Sequence, residues 1–177
     1  MGTVGRIRYR IWQFWQAVKA RPFTEKSKLE ISETLSEKEL ALFHRQKLSA
    51  QQHSYRVMQT LKSAGQNDPD LLAAALLHDV GMADTNSSWW HRPIVVLAQA
   101  TVPKQSAKWA EADLIGWRRP FMIRAKHPEW GARAAAQCGS SERTVALIRR
   151  HQDPISDDSP DELGKLLAQL QWADNNN

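Results

Sequence analysis

The chain has 177 residues, 42% hydrophobic and 24% charged, enough for one globular domain whose core needs no covalent staple. Cys138 is the single cysteine, which excludes an intrachain disulfide; without a signal-peptide pattern or an apolar run of about 18 residues, a soluble cytoplasmic protein is the expectation. Arg6, Arg8, Arg10, Lys19 and Arg21 precede the first acidic residue, Glu25, and setting those five aside leaves 19 basic against 19 acidic residues, so the net charge of +5 is no strong nucleic-acid signal.

In residues 1–22, Ile7, Ile11, Phe14, Trp15 and Val18 recur at helical spacing, with the arginines largely on other faces. This predicts a basic amphipathic helix ending at Pro22. It can pack on the domain formed by residues 23–177, or lie on an anionic membrane surface or a partner. Ser36-Glu37-Lys38-Glu39 reads as a capping box opening a helix through Leu40, Phe43 and His44. A further helix is expected after Ser49, with His53, Val57 and Leu61 on an inward face and Gly65 as its stop.

Asp68-Pro69 supplies a cap and a first-turn proline for a helix through Leu71, Leu72, Ala75, Leu76 and His78 to Gly81. Met82 to Lys126 is less legible: it holds Trp89-Trp90, a buried helix from Pro93 to about Ala100 and a polar one from about Ser106 to Ile115. His127-Pro128-Glu129 is expected to begin a helix ending at Gly139, and Ser141 another through Val145 and Ile148 to His151. Ser159-Pro160-Asp161-Glu162 reads as a second capping box, after which Leu163, Leu167, Leu170 and Asp174 share one helical face. Capping signals, short connectors and the lack of strand-like alternation predict an all-α, compact helical bundle.

The chemistry concentrates where the apolar run Leu71 to Leu77 closes on His78-Asp79. An aspartate beside an Ala/Leu-rich face is costly to bury unless it is paired or metal-bound, and imidazole with carboxylate suits divalent transition ions. Asp174 prolongs a leucine stripe instead of lying on a polar face, as a carboxylate reaching an interior cation would. Each residue also has a plainer reading: His53 as a hydrogen-bonded core histidine, His127 as the residue before a helix-start proline, His151 as a complement to its helix dipole, Asp174 as a solvated end.

Taken together, His53, His78-Asp79, His127, His151 and Asp174 stand in the order His, His-Asp, His, His, Asp. This pattern, with Leu-Leu-His78-Asp79-Val80-Gly81 and the closing Ala173-Asp174, resembles the HD-domain metal-dependent phosphohydrolase superfamily over about residues 36 to 174. The resemblance implies ligands from several helices converging on a buried metal site. It assigns His53, His78, Asp79 and Asp174 to a first divalent ion, and His127 and His151 to a second, with Asp79 as the catalytic carboxylate bridging both. The ions would be Fe, Mn, Zn, Co or Ni, without distinction among them.

The implied reaction is attack of a metal-activated water on a phosphoester, most simply a small nucleotide or dinucleotide. Met82 stands where many members of the superfamily carry a phosphate-binding lysine, so phosphate recognition must come from elsewhere or be weak; Arg56 and Lys126, near expected ligands in sequence, are the candidate substrate-binding cations. His44 and His91 fall outside the set, with His91 kept as a proton donor. Two other readings stay open: an HD-type di-iron oxygenase, and a metal-holding sensor or interaction domain with weakened catalysis.

Overall fold

The structure, a computed structural model, describes residues 22–83, 85, 101–102, 105, 109, 116–155 and 161–177. The expected amphipathic helix of residues 1–22, apart from Pro22, lies outside them, as do Trp89-Trp90, His91, the helix expected from Pro93 and nearly all of that expected from Ser106. The described residues hold α1 (Glu25–Thr34), α2 (Glu37–His44), α3 (Leu48–Ser63), α4 (Pro69–Leu77), a 3-10 turn (Val80–Met82), α5 (Arg119–Cys138), α6 (Glu142–Arg150) and α7 (Glu162–Asn175). No strand occurs among them, and the all-α bundle is what the sequence predicts.

α4 forms the centre. Every residue from Leu71 to Leu77 is buried, so the helix is apolar all round and needs neighbours on every side; it packs against α1, α2, α3, α6 and α7. Each fully buried leucine contributes about 1.5–3 kcal/mol, and Ala73, Ala74 and Ala75 keep the surrounding helices close. Asp68 accepts the Leu71 amide at 3.0 Å, which fixes where α4 starts, and therefore where His78 caps its far end.

The remaining helices are set by local chemistry. The Ser36-Glu39 capping box is present, Ser141 accepts the Thr144 amide at 3.0 Å to open α6, and Gly139 closes α5 in the left-handed region at φ 88°. α1 is not anticipated in the sequence, because Ile31 is its only buried residue and no apolar stripe announces it; the Thr24 side chain caps it by accepting the Ser27 amide. α3 begins at Leu48 behind Lys47, without a side-chain cap, so Ser49 lies inside the helix and does not open it.

α4, expected to run to Gly81, ends at Leu77, and the chain turns through the 3-10 segment Val80–Met82; the boundaries of α5 and α7 also differ from expectation, for physical reasons. α5 does not begin at His127: it begins at Arg119 and carries Pro128 in its interior. An internal proline forgoes one ladder hydrogen bond and costs about 3 kcal/mol. Burial of Pro128 and of its neighbours His127, Gly131, Ala132 and Ala135, together with packing of α5 against α6 and the 3-10 turn, offsets that cost. α7 is capped by Asp161, whose carboxylate accepts the Gly164 amide at 2.7 Å; Ser159 and Pro160, where the sequence pattern placed the cap, lie outside the described residues.

Candidate metal centre

Six side chains from five helices and one turn meet at the end of α4. His53 sits in α3, His78 caps α4, Asp79 follows in the turn, His127 lies within α5, His151 caps α6 and Asp174 is in the last turn of α7. His78, Asp79, His127 and His151 are buried, at 1%, 7%, 1% and 5% exposure. The His53 and Asp174 side chains are 15% and 35% exposed, so the cluster is closed at its base and open on the α3–α7 side.

Within it His53 Nε2 lies 2.9 Å from Asp174 Oδ1, and His78 Nε2 is 3.6 Å from the same oxygen. Asp79 straddles the centre. Its Oδ2 is 3.8 Å from His78 Nε2, while Oδ1 is 3.3 Å from His127 Nε2 and 3.9 Å from His151 Nε2. Two groups of donor atoms result, His53, His78 and Asp174 in one and Asp79, His127 and His151 in the other, each close enough to share an ion. The sequence expectation placed Asp79 in both sets; here it groups with His127 and His151, and its other oxygen approaches His78 of the first set at 3.8 Å.

Backbone carbonyls set the imidazoles' orientation. His78 Nδ1 donates to the Ala75 carbonyl at 3.0 Å, His127 Nδ1 to that of Ile123 at 3.1 Å and His151 Nδ1 to that of Ile148 at 2.7 Å. Each bond holds the proton on Nδ1 and turns the Nε2 lone pair inward, the second-shell arrangement metal-ligating histidines use. His127 and His151 bring their Nε2 atoms to 3.2 Å, so in the neutral tautomers two lone pairs face each other. The buried His78 Nε2 has no hydrogen-bond partner among the described residues. Inward lone pairs beside two carboxylates are the chemistry of a cation site, and the residues fit divalent ions.

The ionisation states follow from the same crowding. Burial opposes charge on His78, but the adjoining Asp79 and Asp174 carboxylates outweigh it and raise its pKa to about 9. His151, buried and facing charged His78, is pushed down to about 4. Burial would raise the Asp174 carboxyl, yet the hydrogen bond to His53 and the charge of nearby His78 hold it well below the ordinary carboxylate range. Without an ion, a proton on His78 does part of the ion's work.

Close backbone packing aligns the corner. A Cβ on Gly81 would meet the His127 carbonyl oxygen at 2.1 Å and the Gly131 amide nitrogen at 2.7 Å. Only glycine lets the turn carrying Asp79 lie this close to α5. Gly131 was not singled out from the sequence, although the Gly-Ala-rich stretch after Trp130 is a signal of close helix contact.

The expected substrate-binding cations are less tightly placed. Arg56 is half-buried one turn beyond His53 and lines a surface groove of about 390 Å³ with Gln59, Thr60, Trp172 and Asn177. Lys126 is exposed, and its neighbour His127 is buried. Arg149 pairs with Glu129 at 2.8 Å and Arg150 with Asp153 at 3.6 Å, so those cations are engaged in surface pairs. His44 is exposed against Phe43, apart from the cluster as expected. One polar neighbour had no sequence signal beyond adjacency: the Gln152 amide, 3.1 Å from His127 Nε2.

The family model described as HD domain matches residues 51–175, a span that contains all six converging side chains. The chain belongs to the HD-domain family. Comparison with curated proteins and with solved structures returns no match. As an HD domain the protein falls in a superfamily of metal-dependent, phosphohydrolase-type proteins, and its buried His and Asp groups are consistent with the HD metal site. No described helix is long and apolar enough to cross a membrane.

Proposed function

We propose that this HD domain is a phosphohydrolase holding two divalent transition ions and cleaving a small phosphoester, a nucleotide or dinucleotide being the simplest class. The observation that carries the reading is the convergence of three Nδ1-anchored imidazoles on Asp79, whose two oxygens face separate histidine groups. In this reading His53, His78 and Asp174 hold one ion, His127 and His151 the other, and Asp79 is shared.

Two ions so held would supply Lewis acidity toward phosphoryl oxygens and bring the pKa of a water near neutrality. The chain's own groups do the rest. Four neutral imidazoles and two carboxylates give the site a formal charge of −2, which leaves a net positive centre for an anionic ester once two divalent ions are present. Buried His78, His127 and His151 exclude bulk water from the base, so charge building on phosphoryl oxygens is stabilised in a low-dielectric setting.

The test is to load purified protein with metal and assay an activated aryl phosphate and a phosphodiester beside His78→Ala and Asp79→Ala. One to two bound equivalents and phosphate release, both lost in the variants, support the reading. Equal metal content in all three proteins overturns the centre. Oxygen consumption without phosphate release favours a di-iron oxygenase, and bound metal with neither activity a sensor.

A further inference from the structure

We infer that Gln152 is a phosphoryl-binding residue of this centre, a conclusion that rests on the phosphohydrolase reading and adds to it a neutral donor. The tautomer of His127 is fixed by its Nδ1 bond to the Ile123 carbonyl, which leaves Nε2 an acceptor. Across the 3.1 Å contact the Gln152 carboxamide N–H is therefore the donor. That same Nε2 is the atom His127 offers to a cation, 3.3 Å from Asp79 Oδ1. Were His127 Nε2 to ligate a cation, its lone pair would no longer be open to Gln152, whose N–H would need a new acceptor at the same place. An anionic phosphoryl oxygen drawn to the ion fills that need.

The position of Gln152 suits such a contact. The residue is exposed while His127 and His151 beneath it are buried, so its amide bridges solvent and the base of the cluster. It is also held in place. The Asp153 amide donates to the Arg150 carbonyl at 2.8 Å, and the Asp153 carbonyl accepts from Gln171 Nε2 at 2.7 Å. The turn bearing Gln152 is thereby tied to α7, the helix that carries Asp174. A donor carried on a turn fixed before the anion arrives has only its own side chain left to order on binding it.

The probe is inorganic phosphate, titrated calorimetrically into metal-loaded wild type, Gln152→Ala and Gln152→Glu, with metal content measured on each sample. The expected result is unchanged metal in Gln152→Ala with phosphate affinity about tenfold weaker, the worth of one hydrogen bond to a charged group. Gln152→Glu, which sets a carboxylate against the anion, weakens it further. Phosphate affinity within twofold of wild type in both variants overturns the inference, as does loss of metal in Gln152→Ala, which would make the residue a support for His127. Because binding is read without turnover, a wild type that binds phosphate through Gln152 and hydrolyses no ester overturns the phosphohydrolase reading and leaves this one standing.

Discussion

His53 Nε2 and Asp174 Oδ1 lie 2.9 Å apart across 121 residues of chain, joining α3 to α7 at the open side of the cluster. The contact places the two most exposed of the six side chains in the same donor group as His78, while Asp79, His127 and His151 form the deeper group.

That partition predicts metal stoichiometry. His53→Ala or Asp174→Ala should remove the ion of the outer group, and His127→Ala or His151→Ala that of the inner group, each leaving about one equivalent. Asp79→Ala should remove both, since its oxygens face both groups. Elemental analysis of dialysed protein reads the result; identical losses in all five variants would show one indivisible site. Turnover should fall sharply in His127→Ala and His151→Ala even where one ion remains.

Packing at the turn makes Gly81 intolerant of any side chain. Gly81→Ala forces a methyl into the His127 carbonyl and is expected to cost on the order of 2–3 kcal/mol by overpacking. Gly65→Ala is a control: nothing lies within 4 Å, and only its φ of 79° is at stake, a cost of about 1 kcal/mol. Thermal melting of both should rank Gly81→Ala well below Gly65→Ala, with metal content reduced only in the former.

The ion and the His78 proton compete. With the folded pKa raised to about 9, this group's stabilisation of the metal-free protein is fully present below pH 6.5, the ordinary imidazole value, and is lost as pH rises through about 9. Melting of metal-free protein should therefore fall across that interval, whereas metal-loaded protein, with His78 deprotonated by coordination, should not follow it. Metal affinity should rise over the same range and proton release accompany binding. Calorimetry in buffers of different ionisation enthalpy checks this, and a pH-independent affinity would refute it.

Away from the site, Glu39 links two parts of the fold. Its carboxylate accepts from the Ser36 amide at 2.9 Å and from Ser140 Oγ at 2.6 Å, tying the start of α2 to the turn between α5 and α6. Partial burial would raise its pKa, but these hydrogen bonds outweigh it and lower it. Its stabilisation is therefore present above pH 4.5, the ordinary value, and lost as pH falls below it. Glu39→Gln should cost about 1 kcal/mol at neutral pH and flatten the acid limb of the urea-midpoint profile.

The parts of the fold legible in the sequence are those where one residue decides a helix end. Asp68, Ser141, Gly139 and the Ser36-Glu39 pair each act over a single turn, and each does what its type predicts. Pro128 misleads because the rule against internal proline is local, whereas what holds α5 together there is burial against α6 and the turn at Gly81. That Asp161 caps α7 was not legible for a similar reason, since two overlapping capping patterns can be ranked only by where the helix packs. For the site, the order of His and Asp residues identified all six converging side chains. The Nδ1 anchors, the contact of Gly81 with α5 and the Gln152 amide depend on distances between helices, which spacing along the chain does not encode.

The anchoring of three imidazoles to carbonyls of their own helices has a kinetic consequence. Because Ala75, Ile123 and Ile148 belong to the bundle's framework, the cage is shaped as the core condenses and not by the arriving cation. Loading a cation would then need little rearrangement of the three imidazoles.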